Sequence, residues 1–405
     1  MDRVDTGVRP RQRRGLSLLG PAFITAVAYV DPGNVATNMA AGSHYGYLLV
    51  WVVILSNLIA MLVQYLSAKV GIATGTGLAA LCRDSYPRPV AVGLWVQAEL
   101  VCVATDLAEV VGGALALRLL FGLPMLAGGI VTGVVAFVIL GFRRHGSGRF
   151  ATIVMALLGV ILVGFALSAV MSGIEPAMVA RGSVPHLAGS ASLMLAVGIL
   201  GATVMPHAIY LHSGLTSSQA RDRIEPRTLL RAQRADVVLA LSVAGAMNLL
   251  MLLVAAAALG GAGIDTIEGA HAALGRVLGA GPALLVALAL LASGLVASSV
   301  GTLAGQMVME GFLRRRIPDV VRRAVTLAPA LVVLGLHVDP TLALVLSQIV
   351  LSFGVPFALV PLVQLSSRAA VMGRYANRPL TTRLGWLCAS IVVALNLTLL
   401  IDVLR

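Results

Sequence analysis

The chain has 405 residues, of which 59% are hydrophobic and only 11% charged, and its mean hydropathy is +0.96. A soluble globular domain carries about 25% charged residues, so this composition excludes one and points to a polytopic membrane protein with little soluble mass. The net charge of +12 would suit a nucleic-acid partner, an alternative that the distribution of the charges argues against below.

Residues 1–16 are basic, with Arg3, Arg9, Arg11, Arg13 and Arg14. A basic start that turns apolar resembles a secretory signal. No small-residue cleavage site follows, and a polar break at Asp31 sits deep in the segment, so it is read as a retained first span. A helix needs ~20 apolar residues to cross a bilayer. Eleven segments qualify, near 17–41, 47–71, 90–118, 123–142, 150–172, 190–216, 236–259, 282–313, 323–338, 340–366 and 384–404. They divide into a first unit of five spans (17–172), an extracellular loop (173–189), a second unit of five (190–366), and a cytoplasmic loop with an eleventh helix (367–405).

The first span is interrupted at Asp31-Pro32-Gly33-Asn34. Proline lacks an N–H, so Pro32 cannot bond the carbonyl of Ala28. Bare carbonyls in hydrocarbon are tolerated where they line a cavity or are buried in protein. An ionised Asp31 at membrane depth costs ~2.5–3.5 kcal/mol on insertion scales and needs a cation or a partner. A kink in which Asp31 and Asn34 merely cap the next helix is the competing reading. In the second span, Gln64 either extends a polar path or bonds a neighbouring helix.

The third span carries Glu99, Cys102, Asp106 and Glu109, a spacing that puts them on one helical face. Three acids on one intramembrane stripe read as a proton relay or as partners of buried arginines, for which Arg322 and Arg323 at the start of the ninth span are candidates. The cysteines, Cys82, Cys102 and Cys388, have no spacing for a disulfide framework or a thiolate metal site.

The sixth span breaks at Met205-Pro206-His207, and Pro206 releases the carbonyl of Ala202. Met205 is core filler or a soft ligand; a thioether favours transition metals over Ca²⁺ and Mg²⁺. His207 is a ligand, a proton carrier or a buried structural histidine. His212 lies nearer the cytoplasmic mouth. Asp236 reads as a first-turn acid that suits the dipole of the seventh helix, and Asn248 has no evident role. Glu310 marks an inner gate or meets lipid headgroups. Gln348, in the tenth span, supplies an amide oxygen or packs between helices.

With the N-terminus in the cytoplasm and the C-terminus outside, 25 of the 29 Lys and Arg residues fall in cytoplasmic segments and their flanks. That asymmetry sets topology and accounts for the basic charge without a nucleic acid. The two broken helices are the first and the sixth. Five spans per unit is an odd number, so the second unit enters from the opposite side, the logic of an inverted-topology repeat with its site at the breaks.

At Asp31-Pro32-Gly33-Asn34 and Met205-Pro206-His207 the chain resembles the Nramp family of divalent metal transporters, in particular bacterial MntH-type proteins. The similarity continues through Thr105-Asp106-Leu107-Ala108-Glu109, Gly201-Ala202-Thr203-Val204, Tyr210-Leu211-His212-Ser213, Gly301 to Gln306, Met309-Glu310-Gly311 and Leu346-Ser347-Gln348, and covers nearly the whole chain. The resemblance implies an all-α membrane protein with a LeuT-type fold of five plus five helices. It implies proton-linked uptake of Mn²⁺ or Fe²⁺, with tolerance for Cd²⁺ and Co²⁺, at the plasma membrane and without a resident cofactor. By motif, Asp31, Asn34 and Met205 become metal ligands, with the carbonyls of Ala28 and Ala202 in alternate states and Gln348 when the site faces outward. His207, Glu109, Asp106 and Gln64 match the proton route, and Arg322 and Arg323 its basic end; Glu99, His212 and Glu310 are gate candidates. Many relatives carry a Glu after the basic loop before the fifth span, which Arg149-Phe150-Ala151-Thr152 lacks.

Three rivals remain. A passive channel would conduct without saturating. An intramembrane metalloenzyme would want clustered histidines, and the chain has no HExxH. A carrier of another substrate would share the fold, but would have no use for Asp31 and Met205 together.

Overall fold

Proline punctuates this chain. Its fixed φ and missing N–H suit the first helical turn, and many of the helices start on or beside one. The computed structural model describes residues 20–142, 147–220, 224–315 and 317–404. The basic segment 1–16 and the topological arginines Arg143, Arg144, Arg221, Arg223, Arg316 and Arg405 lie outside the described residues, as do the side chains around Ala151.

Helix α1 (Pro21–Ala26) tightens into a 3₁₀ turn (Val27–Val30) and stops at Asp31, whose backbone is extended; α2 (Pro32–Tyr45) then resumes. Next come α3 (Val50–Thr74), the short α4 (Leu78–Ser85) and the 34-residue α5 (Arg88–Phe121). Helices α6 (Met125–Phe142), α7 (Ser147–Met171) and α8 (Pro176–Gly182) follow. A second interruption, at Val204 and Met205, separates α9 (Ser190–Thr203) from α10 (Pro206–Gln219). The chain continues through α11 (Pro226–Leu259), α12 (Ile267–Val277), α13 (Ala280–Leu313) and α14 (Asp319–Gly335). It closes with α15 (Pro340–Ser367), α16 (Ala369–Met372) and α17 (Pro379–Val403). No strand occurs among the described residues.

Seven helices among the described residues are long and apolar enough to cross a membrane: α3, α5, the α9–α10 pair, α11, α13, α15 and α17. The broken pair is the most enclosed of them. Helix α2 lies against α9, α11 and α15, while α10 packs on α3 and α13. Helix α13 also runs along α5 and α7. Where α9 meets α15, a Cβ on Gly201 would collide with the Gln348 carbonyl and the Ser352 backbone; small residues at such crossings let membrane helices approach closely. Large apolar side chains such as Val134, Val163, Leu387 and Ile401 point outward from α6, α7 and α17, as the rim of a bilayer-embedded bundle requires.

One expectation is corrected. Asp236 does not sit in a first turn, because α11 begins at Pro226 and Asp236 is well inside it. Its Oδ2 instead accepts the backbone N–H groups of Gly20 at 3.0 Å and Ala22 at 2.9 Å. These are N-terminal donors of α1 that no helical carbonyl can reach. Asp236→Ala is expected to destabilise the fold by about 1–3 kcal/mol, the cost of buried donors left unpaired; a lowered unfolding midpoint in detergent, with Asp236→Asn intermediate, checks it.

Candidate metal centre

Asp31 ends the 3₁₀ turn and caps α2: its Oδ1 accepts the backbone N–H of Asn34 at 2.8 Å. The capping alternative is therefore seen in the structure, and one carboxylate oxygen, Oδ2, stays out of the cap. Asp31 Oδ1 also accepts Asn34 Nδ2 at 2.8 Å, and Asp31 Oδ2 accepts Gln348 Nε2 from α15 at 3.1 Å. Asn34 Nδ2 also donates to the carbonyl of Ala202 at 2.8 Å, so the carbonyl released by Pro206 reaches across to the first break. Gly33 makes room for this: a Cβ there would overlap the Gln348 amide.

Asp31, Asn34, Gln348, Ala28, Ala202 and Met205 are all buried. The side-chain amide oxygens of Asn34 and Gln348 meet no donor among the described residues. Buried polar atoms are ordinarily satisfied; here both amides turn their N–H₂ groups to the Asp31 carboxylate and leave their oxygens unused. A half-turn of either amide exchanges its N–H₂ for its oxygen. With both oxygens turned towards Asp31 the cluster is purely an acceptor set, stable only around a cation. Met205, buried, is the extended residue immediately before α10, and its side chain makes no cap. Among the described residues no three His, Cys, Asp or Glu side chains converge as a metal cluster; the polar groups that meet at the breaks are one carboxylate, two amides and the Ala202 carbonyl.

The break is held open from outside. Asn248 Nδ2 on α11 donates to the Tyr29 carbonyl at 2.8 Å, and Ser293 Oγ on α13 donates to that of Val30. Neither anchor was assigned a role from sequence, since a lone amide or hydroxyl in an apolar helix carries no local signal.

Beside the two breaks, His207 Nδ1 lies 3.2 Å from Thr105 Oγ1 on α5, and its Nε2 has no partner among the described residues. Glu109 is buried, and neither of its oxygens meets a donor among them; the Asp106 carboxyl is its neighbour. The two arginines divide the other acids. Arg323 Nη1 reaches Asp106 Oδ1 at 3.2 Å, and also Thr302 Oγ1 at 3.2 Å. Arg322 grips Glu99 with two bonds, Nη2 to Oε2 at 2.9 Å and Nη1 to Oε1 at 3.3 Å. A separate chain runs through α3 and α10: the Gln64 amide donates to the Tyr29 hydroxyl, Gln64 Oε1 lies 2.8 Å from His212 Nδ1, and His212 Nε2 lies 3.2 Å from Gln233 Oε1. Glu310 is exposed near the end of α13, beside Arg315 and Arg322. The far end of α2 opens on a cavity of about 430 Å³ lined by His44, Asp265 and Asp339, with His44 Nε2 3.0 Å from Asp265 Oδ1.

Two broken helices meeting at a buried carboxylate, within a bundle of membrane-length helices, define a multi-pass membrane protein with a polar centre. The sequence profile of the Nramp family, "Natural resistance-associated macrophage protein-like", matches residues 22–402, and the chain belongs to that family. It is 51% identical over 393 residues to the "Divalent metal cation transporter MntH" of Mycobacterium tuberculosis (strain ATCC 25618 / H37Rv), covering 95% of this chain and 91% of that protein. A crystal structure of the Eremococcus coleocola manganese transporter, in complex with an aromatic bis-isothiourea substituted compound, superposes with a TM-score of 0.85 at 32% identity. That match covers 95% of this chain and 86% of the other. Mhp1, a nucleobase-cation-symport-1 family transporter in a closed conformation, matches at TM-score 0.59 and 16% identity over 95% of this chain and 92% of its own, a likeness of fold alone. The relatives are named as transporters, not enzymes.

Proposed function

We propose that the protein is a proton-linked secondary transporter that imports Mn²⁺ or Fe²⁺, and tolerates Cd²⁺ and Co²⁺, across the plasma membrane by alternating access. The observation that carries this reading is the pair of unsatisfied amide oxygens, Asn34 Oδ1 and Gln348 Oε1, on either side of the buried Asp31. The substrate ion loses water and takes Asp31, Asn34, Met205 and one main-chain carbonyl, that of Ala202 or Ala28. Gln348 joins when the site faces outward. The names of the relatives, a divalent metal cation transporter and a manganese transporter, support the substrate class.

Helices occupy each of the eleven segments expected from the sequence. In our reading all eleven span the bilayer, the first ten form an inverted five-plus-five repeat, and the N-terminus is cytoplasmic. Protons leave by Asp31, His207 and the α5 acids Glu109 and Asp106 towards Arg323 and Arg322, with Gln64 as a side branch and Glu99, His212 and Glu310 at the gate. Glu109 meets no donor among the described residues and neighbours the Asp106 carboxyl, which supports its place on the proposed route. Complete burial of Asp31, Asn34 and Met205 favours an occluding carrier over an open pore.

The test is uptake of Mn²⁺ and Ca²⁺ into proteoliposomes at two external pH values. The wild type is expected to take up Mn²⁺ faster at low pH and to reject Ca²⁺. Met205→Ala should lower the Mn²⁺-over-Ca²⁺ preference by about tenfold or more, the loss of one soft ligand worth roughly 1.4 kcal/mol. Equal preference in both proteins would make Met205 a packing residue, and uptake indifferent to pH would remove the proton.

A further inference from the structure

A cavity of about 460 Å³ lies at the start of α5, lined by Arg83, Tyr86, Arg88, Trp95, Phe312 and Leu313. None of these residues serves the metal centre. Arg83 is fixed at the rim: its Nη1 donates to the Gly311 carbonyl, and its Nε and Nη2 donate to Asp84 at 2.8 and 2.9 Å. Asp84 is shared with Arg314 at 3.6 Å, so one carboxylate serves two arginines, and the exposed Arg88 meets no carboxylate among the described residues. The indole N–H of Trp95 is shielded from solvent and has no acceptor among the described residues, whereas the Tyr86 hydroxyl donates to Gln364 Oε1 at 2.6 Å. The positive end of the 34-residue α5 points the same way.

The cavity continues into an apolar track. Val92, Val96 and Leu100, one turn apart on α5, are 42%, 44% and 61% exposed, and Gly93 leaves open space beside them. A basic pocket on the cytoplasmic side of membrane helices, with Trp and Tyr at the boundary and an apolar groove leading inward, matches an anionic lipid in charge, depth and shape.

We propose that this cavity binds the phosphate headgroup of an anionic phospholipid of the cytoplasmic leaflet, with one acyl chain along Val92, Gly93, Val96 and Leu100. Arg88 and Arg83 hold the phosphate, and the Trp95 N–H gains an acceptor from the headgroup. The inference goes beyond transport and takes from the proposed function only the orientation.

Trp95 is its own reporter. In the full chain with Trp51→Phe and Trp386→Phe, reconstituted into phosphatidylcholine vesicles, brominated phosphatidylglycerol should quench Trp95 at a several-fold lower mole fraction than brominated phosphatidylcholine does. Arg88→Gln should weaken that preference about fivefold, the worth of one basic side chain at an anionic surface, and Arg83→Gln similarly. Because Arg83 also holds Gly311, Arg88→Gln decides alone if Arg83→Gln fails to fold. Millimolar inorganic phosphate should not relieve the quenching; if it does, a soluble anion is the occupant and the lipid assignment falls. Equal quenching by the two lipids, or no change in Arg88→Gln, overturns the site. Both leaflets carry the same lipids, so the result is independent of orientation and of transport.

Discussion

Asp31→Ala is expected to abolish saturable Mn²⁺ uptake and to weaken Mn²⁺ binding at least about thirtyfold, the effect of removing one partner of a buried charge interaction worth roughly 2 kcal/mol or more. Asp31 carries the one charge at the centre, and three N–H groups already converge on it, from the Asn34 backbone, the Asn34 side chain and Gln348. Alanine removes the charge and the cap acceptor of the Asn34 backbone N–H, while Asn34 Nδ2 keeps the Ala202 carbonyl and Gln348 Nε2 keeps Ser347 Oγ, so a second variant must separate binding from folding. Asp31→Asn keeps an oxygen for the Asn34 backbone N–H and therefore the cap of α2, but loses the charge. It should elute as a folded protein and still fail to bind Mn²⁺ in calorimetry. Mn²⁺ uptake by Asp31→Ala at the wild-type rate would sink the assignment of the centre.

The two breaks were legible because each proline stands beside polar or soft side chains within an apolar run, and the helices stop there, at Asp31 and at Met205; proline alone was not enough, since Pro329, Pro356 and Pro361 lie inside α14 and α15. Helix existence was legible too, since long apolar runs have few alternatives. The edge of α11 was not. Residues 226–235 carry three arginines and read as loop on hydropathy, yet nothing in that stretch after Pro226 breaks a helix, and α11 runs through it. Partnerships between distant elements were hidden too. The sequence nominated Arg322 and Arg323 for the α5 acids, but only the register of α14 against α5 decides that Arg322 meets Glu99 and Arg323 meets Asp106. Asp236 binding the start of α1, and Asn248 holding the Tyr29 carbonyl, needed the packed bundle to become visible.

That register gives the second large effect. Arg323→Ala should destabilise the protein by about 3–5 kcal/mol, because it strands the buried Asp106 carboxylate without its counter-charge. Arg322→Ala should cost less, since its partner Glu99 is partly exposed and water can screen what remains. Unfolding midpoints of the two variants in one detergent test the order. The double variant Arg323→Met with Asp106→Leu then separates structure from transport. Replacing both members of a buried pair by apolar groups is often neutral or stabilising, so the double variant should regain most of the lost stability. If it folds and binds Mn²⁺ but its uptake no longer responds to external pH, the pair belongs to the proton route. If the pH response survives, the pair is a strut between α14 and α5, and protons must leave the Asp31 region by another path, for which the Gln64–His212–Gln233 chain is the next candidate.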